Sequence, residues 1–140
     1  MQINPYLNFG GRLAQAFAYY QQHLGATAPM IMTYRGSPAE SMATPDWLDK
    51  ALHAALSIDG QLLMGTDGHP SQHYEGMKGC SLSLSVSSDE EAERIFAALA
   101  DGGKVSQSLE PSFFASRFGM VVDKFGISWM IIHELPPKSS

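Results

Sequence analysis

His69 and His73 stand four residues apart in DGHPSQHYEG. On a helix that spacing puts two imidazoles on one face, where they can hold a metal ion. Pro70 lies between them, and Asp67, Gly68, Ser71 and Gly76 surround them, so the segment reads as a polar, turn-rich linker. As a loop it could close over a site, with Tyr74 and Glu75 near the mouth. His53 opens the strand-like run HAALSI and is the one ordered histidine expected in the first half. There it could give or take a proton near neutral pH, or simply bond backbone at a strand end. His133 lies beyond the last apolar run, near the tail PPKSS, and is expected to be exposed. Cys80 is the single cysteine, which excludes an internal disulfide. It opens a strand with no helix N-terminus or fixed cation beside it, so it reads as a buried structural thiol rather than a nucleophile.

Two further groupings invite a ligand. Tyr6, Tyr34 and Trp129 with Arg117 offer aromatic walls and one cation, suited to an anionic or planar molecule. Phe9-Gly10-Gly11-Arg12 sits between a strand and a helix, which suggests a nucleotide turn. Its glycines are adjacent and unspaced, whereas a dinucleotide or adenosyl site uses a longer glycine-rich turn in a parallel sheet with an acidic residue on the next strand. A tight turn setting the helix onto the sheet is the expected role.

Composition narrows the classes. The chain has 140 residues, 44% hydrophobic and 16% charged, which suits one domain with a real core. Its formal net charge is −5 and it has no Lys/Arg cluster, which argues against nucleic acid or an anionic membrane as partner. No apolar run is long enough to span a bilayer, and MQINPYLNFGG lacks the features of a signal peptide. With the lone cysteine, these features predict a cytoplasmic protein.

The elements that must position these residues follow from periodicity. Ile3 to Phe9 alternates as a strand. Leu13, Ala16, Phe17, Tyr20 and Leu24 form one helix face, with Gly25 at its stop. PMIMTYR (29–35) is a second strand. Thr44-Pro45-Asp46 predicts a cap and a short helix through DWLDKAL. His53 to Ile58 and Gln61 to Thr66 flank Asp59-Gly60, a two-residue hairpin turn. Cys80 to Val86 alternates strictly. Ser88 with Glu91 forms a capping box before a helix with apolar Ala92, Ile95, Phe96 and Leu99, stopped by Gly102-Gly103. Val105 to Leu109 is a strand, and RFGMVVDKFGISWMII (117–132) is a hairpin with a buried last strand.

The order strand, helix, strand, loop, strand, turn, strand occurs twice, over 1–70 and 78–135. NPYLNF (4–9) aligns with SLSLSV (81–86). Gly60 and Gly126 are each followed four residues later by methionine, Met64 and Met130. This doubled unit resembles the vicinal oxygen chelate superfamily, which includes glyoxalase I, bleomycin-resistance proteins and extradiol dioxygenases. Within it the chain resembles the PhnB/YjdN-like family. The segments that carry the likeness are NPYLNFGGRLAQAFAYYQQHLGA, DWLDKALHAALSIDGQLLMGTD and RFGMVVDKFGISWMI, which together reach across nearly the whole chain.

The resemblance implies one α+β domain over 1–140, its two βαβββ repeats forming an open, cup-shaped β-sheet around a small ligand, and a homodimer. It brings a methyltransferase-like label with it. Metal-using relatives hold a divalent ion with two histidines and one or two carboxylates from the first and last strands of each unit. Carried onto this chain, those places fall near Asn4 (or Pro5), on Ser81, on Met64 and on Met130. None is a hard-metal ligand. The expected function is therefore metal-independent binding of a small molecule, without a cofactor. The expected pocket is Tyr6, Asn8, His53, Met64, Ser81, Arg117, Trp129 and Met130. The alternatives are a metal-dependent lyase, isomerase or dioxygenase with ligands displaced to His53, His69 or His73, and a dimeric scaffold without ligand.

Overall fold

The computed structural model describes residues 1–136. Its contacts divide the chain into two compact units, Met1–Gly76 and the residues from Met77 onward. The first unit contains β1 (Tyr6–Asn8), α1 (Leu13–His23), β2 (Met30–Thr33), β3 (Ala51–Ile58) and β4 (Gln61–Thr66). The second contains β5 (Leu82–Ser85), α2 (Asp89–Ala100), β6 (Lys104–Glu110), β7 (Ala115–Val122) and β8 (Ser128–Glu134). Each unit has one open four-stranded sheet, in the orders β1-β4-β3-β2 and β5-β8-β7-β6. In both, the first strand runs parallel to the last and the other pairs are antiparallel. The fold class is α+β.

Each helix covers one face of its sheet. In the first unit Leu13, Ala16, Phe17 and Tyr20 are buried on α1, and Leu7, Ala54, Leu56 and Leu63 are the buried positions of the strands. Phe9 meets Phe17 edge-on, with centroids 5.5 Å apart. Gly65 lets this packing close. A Cβ there would lie 2.9 Å from the Phe9 ring and 3.1 Å from Leu13. Fully burying a phenylalanine or leucine side chain contributes about 1.5–3 kcal/mol, so α1 is held mainly by this one face. In the second unit Ala92, Ile95 and Leu99 of α2 are buried, as are Ala115, Val121, Trp129 and Ile131 of the strands. Half of the capping box forms: Ser88 accepts from the Glu91 N–H at 3.0 Å, while the Glu91 carboxylate accepts from the Ser87 N–H at 3.4 Å.

Three expectations are corrected. The helix through DWLDKAL is a single 3₁₀ turn, Pro45–Trp47, because the Thr44 hydroxyl bonds the Asp46 carboxylate at 2.6 Å instead of capping an amide. The Ala51 N–H is then accepted by Asp67, which starts β3 at once. Cys80 is exposed, since β5 begins only at Leu82. His133 lies within β8, partly covered and hydrogen-bonded, rather than free beyond the core. Among the described residues, no helix is long and apolar enough to cross a membrane.

Buried Asp67 joins three elements of the first unit. Its Oδ1 accepts from the Gly11 and Leu13 N–H groups and its Oδ2 from the Ala51 N–H, all at 2.9 Å. Buried Asp123 acts similarly in the second, accepting from Phe125 N–H, Ile127 N–H and the Trp129 indole. Asp67→Ala leaves two fully buried donors without an acceptor. At about 1–3 kcal/mol per unsatisfied group, it should lower the unfolding free energy in urea by about 2–6 kcal/mol. Asp49→Ala, which breaks only an exposed pair with Arg35, should leave the urea midpoint almost unchanged.

Candidate functional site

Each sheet has a second face, free of its own helix, and strand register decides what stands on it. In the first unit Tyr6 pairs with Met64, Met64 with Ala55 and Ala55 with Met30, forming one row across four strands. Along the strands, His53 opposes Met32 and Asn8 opposes Thr66 on the same face. In the second unit the corresponding row is Ser83, Met130, Met120 and Gln107. The two registers match. Tyr6 sits beside Met64 and Ser83 beside Met130, as the alignment of NPYLNF with SLSLSV requires. The residues abreast of the two methionines are thus Tyr6 and Ser83, rather than Asn4, Pro5 or Ser81.

Tyr6 and His53 are in contact. Their rings stack at 5.7 Å with an 18° tilt, and the phenol oxygen is 3.3 Å from His53 Nδ1. Tyr6 is 51% exposed, so this pair forms an accessible aromatic shelf beside half-buried Met64. Asn8 is committed to its turn, its Oδ1 accepting from the Gly10 N–H at 2.8 Å. Ser81 lies one rung along from Ser83, its hydroxyl 2.7 Å from that of Ser128 on Met130's face.

Two expected pocket residues lie elsewhere. Trp129 is 1% exposed, adjacent to Met130 in the strand and therefore on the opposite face, its indole donating to Asp123 at 2.9 Å. Alternation forces this, because neighbours on a strand face opposite ways. Arg117 lies on the α2 side, with Nε 3.2 Å from Glu93 and one terminal nitrogen 3.5 Å from Asp89. Tyr34 is buried and its hydroxyl donates to the Gly68 carbonyl at 2.7 Å. Burial first, then the nearby Tyr6 and Asp67, raise its pKa above the usual phenol value.

The other candidates resolve similarly. His69 Nδ1 is 2.6 Å from the Ser71 hydroxyl within its own turn, and His73 is exposed. Tyr74 of that loop packs onto the β1–α1 turn, where a Cβ at Gly10 would fall 2.6 Å from its ring. The amides of that turn are taken: Gly10 by Asn8, and Gly11 and Leu13 by Asp67. A divalent oxygen-chelating ion fits poorly as well. Around Met64 stand one imidazole and a phenol, around Met130 a serine and a second thioether. Among the described residues no three His, Cys, Asp or Glu side chains are grouped to hold a metal. Thioethers and neutral hydroxyls are weak donors to such an ion.

One polar cluster was not foreseen. The Ser116 hydroxyl donates to Asp89 Oδ1 at 2.6 Å, and His133 Nδ1 lies 2.8 Å from each. Serine and aspartate meet the same ring nitrogen, so this is not the relay of a nucleophilic triad, which uses both. Asp89 in the first turn of α2 was legible as a dipole partner. The β7–β8 register that brings Ser116 and His133 to it was not.

A tandem pair of open α+β units, each with one sheet face bare of its helix, defines the glyoxalase/bleomycin-resistance class of fold. A glyoxalase/bleomycin resistance protein/dioxygenase family enzyme from Burkholderia phytofirmans superposes with a TM-score of 0.58 at 15% identity, covering 95% of this chain and 96% of its own. The chain belongs to the PhnB/YjdN-like family described as 3-demethylubiquinone-9 3-methyltransferase, whose profile matches residues 1–132. YjdN of Escherichia coli K12 is 34% identical over 139 residues, 94% of each chain. The crystal structure of PA1353 from Pseudomonas aeruginosa is 47% identical with a TM-score of 0.85, covering 96% of this chain and 98% of that one.

Hydrogen bonds from Ser116, then from His133, hold the Asp89 carboxyl below the usual carboxylate range. Partial desolvation opposes them, and the charges of Arg117 and His133 add to them. A lowered folded-state value means the stabilisation is complete above about pH 4 and is lost as pH falls through the folded value. Asp89→Asn should therefore lower Tm near neutral pH, and by less as pH falls below about 4, flattening the acid limb of Tm against pH measured by circular dichroism.

Proposed function

We propose that the chain is a cytoplasmic small-molecule-binding protein that holds its ligand on the helix-free sheet faces without a divalent metal. The observation that carries this reading is the accessible Tyr6–His53 stack beside Met64. An aromatic shelf with a polar edge and an adaptable thioether suits a planar, partly polar molecule. The imidazole and phenol at its rim can orient a carbonyl, hydroxyl or carboxylate by hydrogen bonding.

The family's name would call for an adenosyl group and methyl transfer. The glycine turn that would cradle it has its amides bound by Asn8 and Asp67, and each sheet has one parallel pair only. We therefore assign no methyl transfer to this chain. The proposal includes a single working domain and a homodimer. Edge strands β2 and β6 each have one side without a strand partner among the described residues, and β6 is almost wholly exposed, which favours such an association.

Thermal-shift screening of chelator-treated protein against planar aromatic acids, ketones and phenols tests the reading. At least one compound should raise Tm, with a free-energy gain of about 2.7 kcal/mol at a hundredfold excess over Kd. Tyr6→Ala and His53→Ala should abolish the shift while leaving the unliganded Tm within about 1–2 °C, since both side chains are outside the buried core. A shift seen only after adding Ni, Mn, Fe or Zn would overturn the reading in favour of a metal-dependent lyase, isomerase or dioxygenase.

A further inference from the structure

The face that lacks a hard donor set carries a soft one. Met30 and Met64 both pair with Ala55, from opposite sides, and Met32 pairs with His53, the neighbour of Ala55 on that face. The register is unbroken from Met30 to Met32 and from Ala54 to Ile58. Residues two apart on a strand, and residues directly opposed, share a face. Three methionines and a histidine therefore occupy neighbouring positions around Ala55 on this face. Met30 and Met64 lie two strand spacings apart, roughly 10 Å between Cα atoms. Two unbranched, flexible methionine side chains can close that gap from both sides, because alanine leaves only a methyl between them.

These methionines are not filling the core. Met30 and Met32 are 49% and 48% exposed, although edge positions on a half-buried sheet commonly carry β-branched or polar residues. The imidazole has one ring nitrogen engaged, Nδ1 lying 3.3 Å from the Tyr6 hydroxyl, and no bond to Nε2 is seen among the described residues. An outer partner on one ring nitrogen fixes the ring and leaves the other for coordination.

The geometry points to a soft monovalent cation site formed by Met30, Met32, Met64 and His53, of the type that takes copper(I). Thioether and imidazole donors select such an ion and discriminate against the hard divalent ions that oxygen donors prefer. This inference goes beyond the small-molecule reading and does not rest on it.

Silver(I), a redox-inert probe of the same softness, tests it in full-length Cys80→Ser protein, which removes the exposed thiol as a competing ligand. Calorimetry should show one silver ion bound per chain. Spectra of methyl-labelled methionine should shift at Met30, Met32 and Met64 and not at exposed Met42. Met30→Leu/Met32→Leu and His53→Ala should each weaken binding by at least the roughly 10-fold that loss of a mere outer-sphere partner costs a metal site. Met42→Leu should leave binding unchanged. Absence of binding, or methyl shifts elsewhere with these three unmoved, would overturn the proposal, and the spectra decide it even if a variant fails to fold. Compound-induced Tm shifts in silver-free protein are independent of either result, so failure here and failure of the small-molecule reading are separable.

Discussion

The first unit depends on one buried carboxylate. Asp67 follows β4 directly and accepts from the amides of Gly11, Leu13 and Ala51. It thereby ties the end of the last strand to the turn before α1 and to the first residue of β3. Those bonds decide which sheet face α1 covers. With Gly65, Leu63 and Leu7 turned to the helix, Met64 and Tyr6 turn the other way. The composition of the candidate site is thus a consequence of register, and register is held by a group that takes no part in the site. A polar group buried this deeply is tolerated only because its oxygens are satisfied.

The same constraint sets what each helix-free face carries. Among the described residues Met64 stands with a phenol and an imidazole on the face of the first unit, and Met130 stands with a serine and a second methionine on that of the second. Thioethers and neutral hydroxyls are weak donors to hard divalent ions. Hydrogen-bonding capacity is concentrated at Tyr6 and His53 in the first unit and at Ser81, Ser83 and Ser128 in the second. The units share a topology but differ in what they present.

Much of the fold was legible because it rests on local signals. Asp59-Gly60 fixed the β3–β4 hairpin, Ser88 with Glu91 fixed the start of α2, and the doubled order of elements gave the family. What was not legible depended on long-range pairing. Trp129 looks like a pocket wall until alternation from Met130 places it in the core. Arg117 looks like a free cation until alternation from Gly119 and Val121 places it on the α2 side, beside Asp89 and Glu93. The short helix at Asp46 failed because Thr44 bonds a side chain rather than an amide. Met30 and Met32 read only as strand residues, since nothing in PMIMTYR reveals that β2 pairs beside His53.

The central claim is that ligands meet the helix-free face and not the helix-packed one. Its most direct test is a spectrum reporting methionine methyls and tryptophan indole N–H groups together, recorded while a stabilising compound is titrated. The account predicts that the Met64 methyl moves while the Trp129 indole stays fixed. Movement of Trp129 with Met64 unperturbed would contradict it.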